Sequence, residues 1–302
     1  MSKLAIVFAG QGAQAVGMGK DLYTDFQCVR KIFDICPEIR DIAFNGPKEK
    51  LDMTINTQPA VFLADLACAA VLAEKGIKAD GVAGFSLGEV AAVNYAGMMT
   101  TEQAFDFVRN RAKAMQTCTE KNKGGMCAVL KLEAHEVEEI CKKVLKTYPV
   151  NYNAPGQVVV AYDKSSEEAL EKAIVDAGGR CMKLAVSGAF HSPLMNEASE
   201  AMAEYLISTD IANPTMPVYS NLTAQVYNSN PKEKLAKQII SPVLWQQTIE
   251  NMIKDGYDTF IEAGPGKTLT GLIKKINPNV KTQNITDTQS LEKILETITT
   301  AN

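Results

Sequence analysis

Gly81-Val82-Ala83-Gly84-Phe85-Ser86-Leu87-Gly88-Glu89 is the stretch on which the reading of this chain turns. A short apolar run ends at a glycine, a serine follows between two glycines, and an alanine-rich stretch with helical character continues to Ala96. That is strand, sharp turn and helix. Residues 84–88 have the form G-x-S-x-G, in which flanking glycines let the chain turn tightly enough to lift a serine hydroxyl above the end of a sheet. Two readings of Ser86 stand side by side: a nucleophile at the amino end of a helix, or a helix cap whose side chain satisfies a backbone N–H.

Two further apolar runs share this design. Leu4-Ala5-Ile6-Val7-Phe8-Ala9 stops at Gly10-Gln11-Gly12, and Thr259-Phe260-Ile261-Glu262-Ala263 stops at Gly264-Pro265-Gly266 before a helical pattern over residues 267–276. Continuous apolar runs alternating with helices predict an α/β fold with a mostly parallel sheet. Between residues 124 and 186 the rhythm changes. Strands are predicted at 126–132, 150–153, 158–162 and 181–186, with helices at 133–147 and 165–177, which is the order β-α-β-β-α-β of the split ferredoxin-like unit. The expected architecture is a large hydrolase-like α/β domain built from residues 1–123 and 187–302, with a small ferredoxin-like domain, 124–186, inserted into it.

The 302 residues carry 31 Lys and Arg against 35 Asp and Glu, a net charge of −4. That balance argues against a nucleic-acid partner, whose footprint is a basic excess. The apolar fraction of 46% and charged fraction of 22% are those of a folded chain. The longest apolar stretch, residues 59–73, is interrupted by Asp65 and closed by Glu74. It falls short of the roughly 20 residues of a bilayer span, so no membrane partner is expected. The amino terminus is too short in apolar residues for a secretory signal. Seven cysteines, widely spaced and without a Cys-x-x-Cys pair, predict neither a disulfide framework nor a metal site. They fit a reducing, cytoplasmic setting.

A serine nucleophile needs a base, and histidine is the usual one because it titrates near neutrality. The chain has two histidines. His135 lies in an acidic helix start with the character of a solvated face. His191, in Gly188-Ala189-Phe190-His191-Ser192-Pro193, ends a strand-like run, with Ser192 and Pro193 placed as cap and first helical residue. By elimination it is the candidate base. Gly10-Gln11-Gly12 could present backbone N–H groups to an anion or simply form a turn. Ala15 stands where a dinucleotide fingerprint requires glycine, and Gly266-Lys267-Thr268 lacks the upstream glycine of a phosphate loop. On a helix predicted over Thr101–Thr117, Arg111 falls about 60° from Val108, at the edge of the apolar face. A guanidinium there is favourable when paired internally, or when it serves as a fork for a substrate carboxylate.

Taken together, these residues resemble one family, the malonyl-CoA:acyl carrier protein transacylases that load malonyl groups in bacterial type II fatty acid synthesis. The resemblance runs over essentially the whole chain. It rests on Phe8-Ala9-Gly10-Gln11-Gly12-Ala13-Gln14, Gly84 to Glu89, Arg111 with Met115-Gln116, and Asn151-Tyr152-Asn153-Ala154-Pro155-Gly156-Gln157. It continues through Phe190-His191-Ser192-Pro193, Gln238 ahead of Ser241-Pro242-Val243-Leu244-Trp245, and Gly264-Pro265-Gly266-Lys267. The resemblance implies that Ser86 is the nucleophile, His191 its base, and Gln238 the group orienting the imidazole, through its side chain or its backbone carbonyl. It implies an oxyanion hole from the N–H groups of Gln11 and Leu87. Arg111 would bind the free malonyl carboxylate, with Asn153 also contacting substrate, and Phe190 would leave no room for an α-methyl group. The implied reaction is a ping-pong transfer from malonyl-CoA to the phosphopantetheine thiol of acyl carrier protein through a malonyl-serine ester, with no cofactor and by a monomer. Phe85 departs from the pattern, since many members carry histidine immediately before the nucleophile.

A discrete acyltransferase serving a polyketide synthase would use the same residues. A serine esterase or thioesterase is disfavoured because no histidine follows His191, and a non-catalytic docking module would have no need of Ser86, His191 and Arg111 together. Carrier proteins are typically acidic, and Lys267, Lys274 and Lys275, or Arg180 and Lys183, are the candidate docking cations.

Overall fold

The first strand, β1 (Lys3–Phe8), has both neighbours parallel to it: β2 (Gly81–Gly84) on one side and β8 (Tyr257–Ala263) on the other. In the computed structural model, which describes residues 2–300, this sheet has the order β7-β2-β1-β8-β9, with β7 at Val218–Tyr219 and β9 at Lys281–Ile285. Every pairing in it is parallel. Its strands alternate their burial between two faces. Ile6, Phe8, Val82 and Ile261 pack with the helices Thr54–Glu74, Gly88–Tyr95 and Thr101–Lys121, while Ala5, Val7, Ala83 and Phe260 pack with Trp245, Ile249, Leu272 and Ile273. Helices on both faces explain why β1 and β2 read as unbroken apolar runs.

A second sheet comes from the middle of the chain: β3 (Gly124–Leu130), β4 (Thr147–Ala154), β5 (Gln157–Asp163) and β6 (Arg180–Lys183), ordered β4-β5-β3-β6 and antiparallel throughout. With the helices Ala134–Lys143 and Glu167–Asp176 it has the ferredoxin-like order. One face, Cys127, Val129, Val158 and Val160, packs with its own helices. The other, with Met126, Val159 and Ala161, joins the core of the parallel sheet's domain. Its outer strand is also stitched to that domain by backbone bonds. Val243 N–H donates to the Val150 carbonyl at 2.8 Å and Tyr152 N–H to the Val243 carbonyl at 3.0 Å.

Three expectations need correction. The last strand of the small sheet stops at Lys183 rather than residue 186, because residues 184–186 leave the edge to line a cleft. The helix carrying Arg111 runs to Lys121. Asp65 does not interrupt the apolar stretch, since the Thr54–Glu74 helix passes straight through it. By length and composition that helix could cross a bilayer, and 83% of its most apolar window is buried inside the fold. Residues 1 and 301–302, the ends of the predicted large domain, lie outside the described residues.

Candidate active site

The turn at Ser86 is built by absences. A Cβ on Gly84 would lie 1.9 Å from the Gly88 backbone, and one on Gly88 would lie 2.2 Å from the Phe8 carbonyl oxygen. Only glycine lets the Gly88–Tyr95 helix start this close to the ends of β1 and β2. Ser86 itself takes φ 54°, in the left-handed region that non-glycine residues avoid. The strained turn is braced by Asn221, whose Oδ1 accepts from Ser86 N–H at 2.7 Å and whose Nδ2 donates to the Gly84 carbonyl at 2.6 Å. Ser86 is thus held as an elbow, and the cap reading fails, because the Gly88–Tyr95 helix has no side-chain cap.

His191 comes from a second strained turn, at φ 60°, held by Ser192, whose hydroxyl donates to the Ala189 carbonyl and accepts from Leu194 N–H. Its Nε2 lies 2.6 Å from Ser86 Oγ. Its Nδ1 lies 2.8 Å from the backbone carbonyl of Gln238. A carbonyl can only accept, so Nδ1 carries the proton and Nε2 is free to take one from Ser86. Burial, and then the nearby Arg111 guanidinium, push His191 down to about 4, so the imidazole is neutral at physiological pH.

Arg111 is buried, with no carboxylate within ion-pair distance among the described residues. One terminal nitrogen donates to Gln58 Oε1 at 2.7 Å, and the other to Gln238 Oε1 at 3.0 Å and Ser86 Oγ at 3.3 Å. Its Nε has no partner. Burial lowers Arg111 to about 10, still charged at neutral pH, and Glu89 opposes that shift. The internal ion pair considered for Arg111 is replaced by two glutamine amides that steer a charged fork and leave its buried Nε without a partner.

Gln238 therefore does two things. Its backbone carbonyl orients His191, while its side chain faces Arg111 and donates from Nε2 to the Ser86 carbonyl and to Glu89 Oε2, both at 2.7 Å. Glu89 is fully buried, and its Oε1 also accepts from Tyr227 Oη at 2.6 Å and Asn221 N–H at 3.2 Å. Burial raises its pKa and these donors pull it back.

Ser86 and His191 line a cleft of about 430 Å³ between the carboxyl ends of the parallel strands and the inner face of the small sheet, while Arg111, Gln238 and Glu89 are buried next to them. Parallel sheets characteristically hold ligands at this end. Gln11 lines it from the loop after β1, with its side chain tied to Thr54 and Gln58. Leu87, the residue before the helix, is buried and leaves its N–H at the helix start. Phe190, Asn151 and Asn153 line the cleft too, and the Oδ1 atoms of both asparagines lack partners. Phe85 also lines the cleft, its ring edge-on to Trp245 with centroids 5.5 Å apart. His135 lies outside the cleft, in the first turn of the Ala134–Lys143 helix, and takes no part. Lys267, Lys274, Lys275 and Arg180 are exposed, while Lys183 is engaged with Glu167 and Glu171.

Sequence reading missed Gln58, Asn221 and the role of Glu89. Glu89 stood in the quoted motif, yet its partners Asn221 and Gln238 lie 132 and 149 residues away. A charged residue in the first turn of a buried helix was the available signal.

Residues 5–293 match the acyl transferase domain model. The malonyl CoA-acyl carrier protein transacylase of Bacillus subtilis (strain 168) is 37% identical over 314 residues, covering 100% of this chain and 99% of the relative. That of Staphylococcus aureus (strain MSSA476) is 39% identical over 308 residues, covering 97% and 98%. Among solved structures, the malonyl CoA-acyl carrier protein transacylase of Clostridium perfringens ATCC 13124 superposes with a TM-score of 0.95 at 37% identity, covering 99% of this chain and 98% of that one. A malonyl-transacylase in complex with its type II PKS acyl-carrier protein superposes at 0.94 with 36% identity, covering 98% and 100%. The family match, the full-length relatives and the superposed structures agree: the chain belongs to the malonyl CoA-acyl carrier protein transacylase family of acyl transferases.

Proposed function

We infer that this chain transfers malonyl from malonyl-CoA to the phosphopantetheine thiol of acyl carrier protein, through an ester on Ser86, for fatty acid biosynthesis. The observation that carries the reading is the contact of one serine oxygen with both a neutral imidazole and a buried guanidinium, at 2.6 and 3.3 Å. The imidazole supplies a base and the guanidinium supplies a reason for a carboxylated acyl group.

In the first half-reaction His191 Nε2 takes the Ser86 proton as Oγ attacks the thioester carbonyl. The C–S bond breaks, and the proton passes to the departing CoA thiolate. In the second, His191 takes the proton of the carrier thiol, sulfur attacks the ester carbonyl, and the proton returns to Ser86 Oγ. Negative charge on the carbonyl oxygen is met by the N–H groups of Gln11 and Leu87. The malonyl carboxylate pairs with the Arg111 guanidinium beside Ser86, and Asn153 faces the acyl-carrying arm from the small sheet. Phe190 packs beside the α-carbon and disfavours a branched acyl group. Each half-reaction exchanges one bond to the acyl carbon for another with no change of oxidation state, so no cofactor is called for. All of these groups come from one chain, so a monomer suffices.

Initial-rate kinetics with malonyl-CoA and holo acyl carrier protein test the reading. Parallel double-reciprocal lines and malonyl on the carrier are expected. CoA release that needs only water as acceptor would make the chain a thioesterase instead. The relative solved with a polyketide carrier gives the second reading, and a lower KM for a polyketide carrier than for a fatty-acid carrier would favour it.

A further inference from the structure

A primary amide has a donor end and an acceptor end of nearly the same shape. Nothing in the length or packing of Gln238 dictates which end meets Arg111, yet the choice decides whether the guanidinium is attracted or repelled. Two acceptors settle it. The Glu89 carboxylate and the Ser86 carbonyl each lie 2.7 Å from Gln238 Nε2 and take both of its hydrogens, which leaves Oε1 for Arg111 at 3.0 Å. Glu89 is anchored in turn from behind by Tyr227 and by the Asn221 backbone, both on Oε1.

We propose that Glu89 is a positioning residue that sets the acyl preference of the site, by fixing the orientation of the Gln238 amide and through it the aim of the Arg111 guanidinium. The proposal rests on the functional reading above. A buried guanidinium needs a counter-charge. A carboxylate placed directly on Arg111 would fill the fork that a substrate carboxylate requires. With one amide between them, the charge of Glu89 supports Arg111 while the guanidinium keeps a buried Nε without a hydrogen-bond partner.

Glu89→Gln separates this role from a structural one, because it keeps shape and size. The substituted side chain can still accept from Tyr227 and Asn221 through its one oxygen, but its NH2 group then faces Gln238 Nε2, donor against donor. If Gln238 turns over to relieve this clash, its own NH2 group meets the Arg111 cation. If it does not, the bond between the two side chains is lost and the Gln238 amide is free to swing.

The test is competition. Each protein is mixed briefly with equimolar malonyl-CoA and acetyl-CoA, and the intact mass is read. The unmodified chain takes mostly malonyl. In Glu89→Gln the malonyl-to-acetyl ratio falls about ten-fold or more, the scale set by losing a hydrogen bond to a charged group, and KM for malonyl-CoA rises. Tyr227→Phe removes one donor from Glu89, moves the ratio less in the same direction, and stands in if Glu89→Gln does not fold. An unchanged ratio, or malonyl and acetyl gains lost in equal proportion, overturns the proposal, the latter being the pattern of a purely structural residue. An unmodified chain that gains neither group brings down the functional reading and this inference with it.

Discussion

At His191 two influences outweigh two others. Burial and the Arg111 guanidinium lower its pKa to about 4, and the backbones of Gln238 and Ser241 resist them. In the unfolded chain the ring titrates at its ordinary value of 6.5. As pH falls, the unfolded chain therefore binds this proton first. The stability His191 contributes is complete above pH 6.5 and declines as pH falls to about 4. Of the two imidazole signals in an NMR titration, the one absent from His191→Ala is expected to titrate near 4, and to move upward in Arg111→Ala. A midpoint near 6.5 in both proteins would contradict the burial and the charge coupling. Ser86, His191 and Arg111 were legible from sequence because each is chemically exceptional where it stands: a serine between turn glycines, one of only two histidines, an arginine at the edge of an apolar stripe. Glu89, Asn221 and Gln58 were not, because each is meaningful only through partners far away along the chain.

The elements that carry these residues are held by close backbone approach more than by side-chain volume. The Gly88–Tyr95 helix begins against the end of β1, and Asn221 ties the turn before it to the segment following β7. Asn221→Ala removes both bonds of this brace and leaves Ser86 N–H and the Gly84 carbonyl unpaired. A loss of about 2–4 kcal/mol in folding stability follows, from two buried polar groups without partners. The rate of Ser86 acylation should fall further than the melting temperature implies, since the elbow itself loosens. Denaturant unfolding and single-turnover acylation check this, and a variant with native stability would show that the strained φ at Ser86 needs no brace. Strands β1, β2 and β8 were readable because both their faces are covered and their sequences are largely apolar. The edge strands were not. β7 has two residues and β9, Lys281-Thr282-Gln283-Asn284-Ile285, is mostly polar, so neither has a hydrophobic signature, and each exists because a paired neighbour offers it a ladder.

Over the whole molecule, the parallel sheet supplies the reacting groups and the small antiparallel sheet roofs them. The ferredoxin-like order was readable because its six elements follow one another in a single short segment, residues 124–183, and alternate regularly. Its placement over the cleft was not, since it depends on the backbone bonds between β4 and Val243, for which sequence has no local signal. The roofed cleft, the neutral imidazole and the buried guanidinium all converge on a single atom, Ser86 Oγ. Intact-protein mass spectrometry after brief mixing with malonyl-CoA reads that atom directly. A mass gain of one malonyl group, absent in Ser86→Ala and removed by adding holo acyl carrier protein, is the predicted result. No gain in the unmodified chain, or an equal gain in Ser86→Ala, would contradict it.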